Sequence, residues 1–480
     1  MSVTPAAPSD LSEPWPRGAH ALEESLARLS ADALALLRQD TADPVRAPLS
    51  PEEVTRQHPL SLPAAGAPLG EVMDEVVALL RAAPSTSGPR FFNQLFAGRD
   101  PAATPADMLA SLANHSMYTY KVAGPLVLME LEVLKGLRRV VGYPNGEGGG
   151  LFAPGGSLSN LAAMLCARDH AFGPSAREEG IPPEARLYTS AEDHYSVRKG
   201  AGVIGLGRGR VVTIECDAEG RMRPDLLAER LRADRAQGLR PMMINATAGT
   251  TVRGAFDPFH ALADVAEAEG VWLHVDGAFG GTALWSPTLR PLCAGVDRAH
   301  SLTWDAHKAM GVPLTCSALL TRDPLAAARA LSESASYLFQ ADGDALNPGT
   351  RSLQCGRRDD ALKLWAAWRY HGDAGWAART ERLRDLALAL AQEVRRRPRL
   401  QLTEPPPFLN VCFEYAGRSS EEICERLRVE RRALVGYALV RGRPIIRAAV
   451  LNPELTLDDL RALLDAIEEV APSCAEAPTP

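Results

Sequence analysis

The sequence predicts an α/β protein with a mainly parallel sheet and a small α+β unit at its C-terminal end. Two observations carry this. Short apolar, β-branched runs alternate with helical segments through the middle of the chain, and such alternation implies parallel strands with covered faces. Beyond Asp359 two long helical patterns give way to shorter strands and helices.

Taken in order, residues 21–38 and 69–82 carry apolar side chains at helical spacing. The Pro/Gly/Ser-rich stretch 84–89 breaks the chain. A mostly helical pattern resumes over 105–141, with Thr104 and Pro105 suited to a cap and a first helical position. Strands are expected at 186–188, 210–214, 241–245, 271–275, 301–304 and 318–321, with a helix over 261–269. Helices follow over 360–370 and 376–397, the second ended by Pro398. Its last-turn arginines suit a solvated helix C-terminus better than a nucleic-acid patch. The remaining pattern gives strands at 408–415, 433–440 and 444–450 and helices at 420–428 and 457–470. The expected division is an N-terminal helical segment 1–97 with a loose tail 1–20, a large domain 98–375 and a small domain 376–480.

Composition narrows the function. The 480 residues hold 52 Lys+Arg and 59 Asp+Glu, a net charge of −7, which disfavours a general nucleic-acid binder. With 46% hydrophobic residues the chain can form a core, so disorder as the main state is excluded. No apolar run approaches the roughly 20 residues a bilayer needs. The polar, Pro-rich start has no secretory pattern. Eight cysteines without a CxxC pair read as reduced thiols of a cytoplasmic protein, and no zinc pattern is present.

Several segments carry chemistry. Lys308, in SLTWDAHKAMG, stands where a strand ends at a loop; it suits either a solvated surface amine or a Schiff-base nucleophile. Asp276, in VWLHVDGAFGG, ends an apolar strand, where a carboxylate faces the ligand crevice of a parallel sheet. It can hold a pyridine nitrogen protonated, or cap a helix. The run Gly155-Gly156-Ser157-Leu158-Ser159-Asn160 opens a helix over 161–168 and offers backbone N–H groups to a phosphate, or is a plain Ser/Asn cap. It is neither GxGxxG nor a P-loop. His194, in SAEDHYSVRKGA, can stack on an aromatic ring or serve structure alone. Thr250 and Thr251 can bond a ring oxygen or cap a turn. The order of these features, mostly at strand ends of one sheet, is what a pyridoxal phosphate site requires.

On those residues the chain resembles the group II pyridoxal-dependent amino-acid decarboxylases, nearest the branch with glutamate, cysteine sulfinate and acidic amino acid decarboxylases. The matching stretches include FFNQLFAG (91–98), LFAPGGSLSNLAAM (151–164), TSAEDHYSVRKGA (189–201), NATAGTTVRGAFDP (245–258), WLHVDGAFGG (272–281) and SLTWDAHKAMGVPLTCSALL (301–320). Further matches are YTYKVAGPLVLMELEVL (118–134), ASYLFQ (335–340), LQCGRRDDALKLWAAWR (353–369) and VGYALVRGRPIIRAAVLNP (435–453). The resemblance spans roughly residues 60–470.

The resemblance implies the type I pyridoxal phosphate fold, with a seven-stranded large domain, and a homodimer with shared active sites. It implies a carboxy-lyase of amino-acid metabolism that uses pyridoxal 5′-phosphate and no metal. Lys308 would bond the cofactor's aldehyde carbon, His194 would stack on its ring and Asp276 would bind the pyridine nitrogen. Ala278 would lie near the ring, Thr251 near its hydroxyl, and Gly156, Ser157, Asp305 and His307 at the phosphate. Gln94 would touch the substrate and Arg447 would take its α-carboxylate.

Three departures stand out. Asp305 replaces the Asn usual before the His-Lys pair, and Lys121 replaces a Glu. Relatives place a Tyr in the loop after ASYLFQ that gives the proton to Cα once carbon dioxide leaves; here no Tyr or Phe occurs from Gln340 to Leu364. Phe96 and Tyr118 suggest a pocket for a short acidic substrate such as aspartate or cysteine sulfinate, with glutamate disfavoured, although both also suit core packing. The expected reaction is decarboxylation to the amine. Decarboxylation coupled to transamination or oxidation is the alternative raised by the Tyr-less loop, and a non-catalytic descendant is a third reading.

Overall fold

The computed structural model describes residues 19–42, 45–46, 49–58, 60–144, 149–333 and 346–476. Its strands are β1 (Phe91–Phe92), β2 (Gly150–Ala153), β3 (Ala185–Ser190), β4 (Val211–Ile214), β5 (Arg240–Thr247), β6 (Trp272–Asp276), β7 (Ser301–Asp305), β8 (Ser317–Thr321), β9 (Leu400–Leu402), β10 (Asn410–Tyr415), β11 (Leu434–Val440) and β12 (Arg443–Ala449).

Seven of them form one sheet in the order β2-β8-β7-β6-β5-β3-β4. The pairs from β7 through β6, β5 and β3 to β4 are parallel. β8 runs antiparallel to both β7 and β2. Every residue of β6 and β7 is buried, as expected of strands covered on both faces. The helix Gly156–Phe172 covers one face through Ala162, Ala163 and Ala167, whose small side chains permit close approach. The mainly parallel α/β sheet expected from the pattern is present, with the seven strands the resemblance implies; β2 is the one the pattern alone missed.

The expected helix over 69–82 is present as Leu69–Ala82, and the last helix is Leu457–Val470, opened by a Thr456–Asp459 capping box. The two helices expected from 360 to 397 form one run, Asp360–Arg396, interrupted by Gly372. Gly372 takes φ 64°, where a residue with a side chain is strained, so the break falls inside the expected gap. The expected cap at Thr104 is corrected: the helix begins at Ala103, and the Asp100 carboxylate accepts the N–H groups of Ala102 (2.9 Å) and Ala103 (2.8 Å). Thr104 and Pro105 lie inside its first turn, where Pro leaves no intrahelical bond unmade.

A second sheet has the order β1-β11-β12-β10-β9. Here the sequence reading missed two elements, β1 and β9 (Leu400–Leu402). Phe91–Phe92 pairs in parallel with Leu434–Val435, so the N-terminal segment supplies a strand to the sheet formed near the other end of the chain. Phe92 is buried in that sheet's own core, beside Val411, Phe413 and Ile446.

Candidate active site

A cavity of about 260 Å³ lies at the carboxyl ends of β5, β6 and β7. Strand direction explains why: each strand ends in a polar residue that points into the crevice, Thr247 on β5, Asp276 on β6 and Asp305 on β7. Thr247 pairs in register with Asp276, and Asp276 with Thr303.

Of the residues expected at the site, Gly156, Ser157, His194, Thr251, Asp276, Ala278, Asp305, His307 and Lys308 all line this cavity. Gly156 and Ser157 are the first two residues of Gly156–Phe172, which starts five residues before the expected helix. Gly155 precedes them at φ 109°, a conformation that turns the incoming chain onto the helix axis. Asp276 accepts hydrogen bonds from Asn160 Nδ2 (2.8 Å) and from the backbone N–H of Ala278 (3.1 Å). Asp305 is buried, with Oδ2 3.4 Å from Lys308 Nζ and 3.5 Å from His307 Nε2. A Cβ on Gly156 would come within 2.6 Å of Asp305 Oδ2, so only glycine fits beside that carboxylate. His194 Nδ1 lies 2.9 Å from Ser196 Oγ. Burial holds the His194 imidazole below its ordinary pKa, against the pull of Asp276. Burial likewise lowers that of His307, against Asp305.

Thr250 does not open on the cavity; its hydroxyl accepts the Ala255 N–H at 3.1 Å and so caps the turn. Gln94, Phe96, Tyr118 and Arg447 are not among the lining residues. Phe96 packs on Phe91 at 5.9 Å, and Tyr118 lies against Gly349. Arg447 stands behind Thr251: Nη1 donates to the Thr251 carbonyl at 3.1 Å and Nη2 to the Asn93 carbonyl. Both are backbone acceptors rather than carboxylates, and its buried Nε has no partner among the described residues. Lys121 is described, whereas the ASYLFQ stretch (335–340) and the start of the loop after it, 341–345, lie outside the described residues. Of that loop, Pro348–Arg351 forms a short 3-10 turn.

Sequence reasoning did not single out Thr247 or Asn160, both of which line the cavity. The signal for Thr247 was available, as a hydroxyl residue close after the short apolar run Met242–Ile244 and before the Gly-hinged loop.

The arrangement fits pyridoxal phosphate. The turn into a 17-residue helix supplies free N–H groups and a positive dipole end for a phosphate. The Thr247 hydroxyl is buried without a partner among the described residues, a group ready to bond a ligand oxygen. A primary amine, an imidazole and a buried carboxylate face the same space.

Comparison with known proteins agrees. Residues 51–416 match the pyridoxal-dependent decarboxylase conserved domain. Human cysteine sulfinic acid decarboxylase is 40% identical over 446 residues, covering 88% of this chain and 90% of that protein. The acidic amino acid decarboxylase of Bos taurus is 36% identical over 469 residues, covering 93% and 89%. The crystal structure of mouse CSAD superposes with a TM-score of 0.85 at 34% identity, covering 93% of this chain and 99% of that one. Oryza sativa TDC, crystallised with PLP and tryptamine, gives 0.87 at 26% identity, covering 96% and 99%.

Proposed function

The chain belongs to the pyridoxal-dependent decarboxylase family, and from that premise we propose that it converts a short acidic L-amino acid to its amine and carbon dioxide. That it is a pyridoxal phosphate-dependent amino-acid decarboxylase follows from the family itself. The choice of a short acidic substrate, aspartate or cysteine sulfinate ahead of glutamate, is our reading. It is supported by the similarity to decarboxylases named for such substrates.

One observation carries the catalytic assignment: a single cavity joins Lys308, Asp276 and His194 to the N-terminus of Gly156–Phe172. Pyridoxal phosphate, when bound, supplies an electron sink for the charge left at Cα as carbon dioxide departs. Lys308 would hold the cofactor's aldehyde carbon. Asp276 would keep a proton on the ring nitrogen, because an anion there favours the charged ring. His194 would stack on the ring with Ala278 close to it, and Thr251 and Thr247 would serve its hydroxyl. Gly156, Ser157 and His307 would hold the phosphate. Arg447, a part-buried guanidinium just behind Thr251 with no carboxylate partner among the described residues, would take the α-carboxylate.

The active form is a homodimer in this reading. Leu22, Leu34 and Leu37 are exposed on the helix Ala19–Ala42, and Leu69, Val76 and Leu80 on Leu69–Ala82, an apolar face that a second copy would cover. Gln94, Phe96 and Tyr118, absent from their own subunit's cavity lining, contribute to the shared site of that dimer. Among the described residues no helix is long and apolar enough to cross a membrane. Our placing of the protein in the cytoplasm rests on its eight free cysteines.

The deciding experiment is a panel of L-amino acids incubated with the purified holoenzyme, with amine, carbonyl product and carbon dioxide quantified together. Amine from aspartate or cysteine sulfinate, formed faster than from glutamate, supports the proposal. A dominant carbonyl product would move the assignment to the decarboxylation-coupled alternative.

A further inference from the structure

We propose that Asn160 is a positioning residue that sets Asp276 and His194 together, and that buried His274 holds Asn160 in the orientation this requires. The inference rests on the roles given above to Asp276 and His194.

The geometry admits one arrangement of hydrogens. An ionised carboxylate only accepts, so the group of Asn160 that lies 2.8 Å from Asp276 Oδ2 must be its NH2. The Asn160 carbonyl oxygen then faces His274 Nε2 at 3.0 Å, and it too only accepts. His274 must therefore carry its hydrogen on Nε2. Its Nδ1, 2.8 Å from Ser301 Oγ, becomes an acceptor for that hydroxyl. Ser301 Oγ in turn accepts from Trp272 Nε1 at 2.9 Å. Donors thus follow one direction, from Trp272 through Ser301, His274 and Asn160 to Asp276. A protonated His274 could not accept from Ser301, and burial keeps it neutral by lowering its pKa to about 4. Thr303 Oγ1, 3.4 Å from Nε2, is the other hydroxyl near this ring.

The amide has a second hydrogen, and it goes elsewhere. Asn160 Nδ2 also lies 3.2 Å from Ser196 Oγ. With Ser196 Oγ accepting there, its own hydrogen is free for His194 Nδ1 at 2.9 Å. The Ser196 backbone N–H points to the same Nδ1 at 3.3 Å, which confirms Nδ1 as an acceptor. His194 then carries its hydrogen on Nε2. One amide therefore fixes the partner of the ring nitrogen and the tautomer of the stacking imidazole. All these side chains except His194 are buried, so water cannot substitute for a lost partner.

The test reverses the donor while keeping the shape. Asn160→Asp places a second carboxylate against Asp276, and two such groups share one proton. His274→Gln retains an N–H donor, whereas His274→Leu removes it. The readouts are kcat and KM for the best substrate, the dissociation constant of pyridoxal phosphate, and the visible circular dichroism of the bound cofactor. Thermal melting of each protein without cofactor controls for folding. We expect kcat to fall about 10-fold or more in Asn160→Asp and His274→Leu with KM little changed, and the visible dichroism to change with it. His274→Gln should recover most of both. Equal losses in His274→Gln and His274→Leu, or unaltered kcat and dichroism in Asn160→Asp, would overturn the proposal. If Asn160→Asp fails to fold, the His274 pair still decides it. Failure of the substrate reading would show separately, as wild type that releases no carbon dioxide from short acidic amino acids while the variants still differ from it in visible dichroism.

Discussion

Lys308 Nζ stands 3.4 Å from Asp305 Oδ2, one turn after the strand that delivers both to the cavity. The same carboxylate lies against Gly156, where the helix that suits a phosphate begins. A carboxylate in that place repels an incoming phosphate, by about 1 kcal/mol or more for unit charges in a partly screened site. Asp305→Asn should therefore bind pyridoxal phosphate roughly 5-fold tighter, with the gain largest at low salt. Weaker binding in an equilibrium titration would mean that Asp305 matters chiefly as the partner of Lys308.

Lys308→Ala should lose the visible absorbance of the lysine-bound cofactor together with turnover, since no other amine lines the cavity. In the wild type, borohydride reduction and peptide mapping should place the cofactor on Lys308. A label on exposed Lys199 would reject the assignment.

Asp276→Asn should keep cofactor bound and strip most catalysis, by about 100-fold or more. An amide cannot hold the ring nitrogen protonated, so the ring loses its pull on the charge at Cα. Near-normal kcat would show that this carboxylate only orders the Gly277–Ala278 turn.

Arg447→Met should raise KM while sparing cofactor affinity. A charge-assisted pair lost without replacement costs about 1.5–3 kcal/mol, roughly 10- to 150-fold. Steady-state kinetics with the best substrate decides it, and an unchanged KM excludes Arg447 from substrate binding.

His274 gives a pH prediction. Burial lowers its pKa from 6.5 to about 4, so the stability linked to its neutral form is present above about pH 6.5 and is lost as pH falls toward 4. His274→Gln lacks that titration. The stability of wild type relative to His274→Gln should thus shrink over this window by up to about 3 kcal/mol. Burial raises Asp193 and Asp257 to about 6 and Asp359 to about 7, with the opposite sign, but both proteins share these groups and they cancel in the difference. Denaturant titrations of the cofactor-free proteins at constant ionic strength would refute this with a gap that does not change.

The parts of the site that lie at strand ends were legible because two local patterns coincide there: an apolar run and the polar residue that stops it. Asp305 came only with the resemblance, whereas Lys308 follows closely on such a run and Asp276 announces itself in this way. Asn160 does not, because its meaning lies in contacts to Asp276 and His274, more than a hundred residues away, and in sequence it is one more polar residue near a helix start. The turn at Gly156 was visible, but its inclusion in the helix was not, since glycine and serine are poor helix formers that packing overrides. Gln94, Phe96 and Tyr118 had only resemblance behind them, and one subunit does not bring them to the cavity.

The pairing of Phe91–Phe92 with Leu434–Val435 bears on how the chain is made. Synthesis runs from the N-terminus, so the seven strands of the large sheet emerge, and can pair, before Leu434 exists. Through that interval neither residue has its strand to join; Phe91 can still pack into the large domain's core, but the core that buries Phe92 lacks Val435, Ile446 and the last helix. A contact so distant in sequence closes slowly, and the exposed edge invites association in the meantime. Chains arrested before residue 434 should therefore be more aggregation-prone than their large sheet alone would suggest, and replacing Phe92 with a polar residue should relieve this while weakening the small sheet's core in the finished protein.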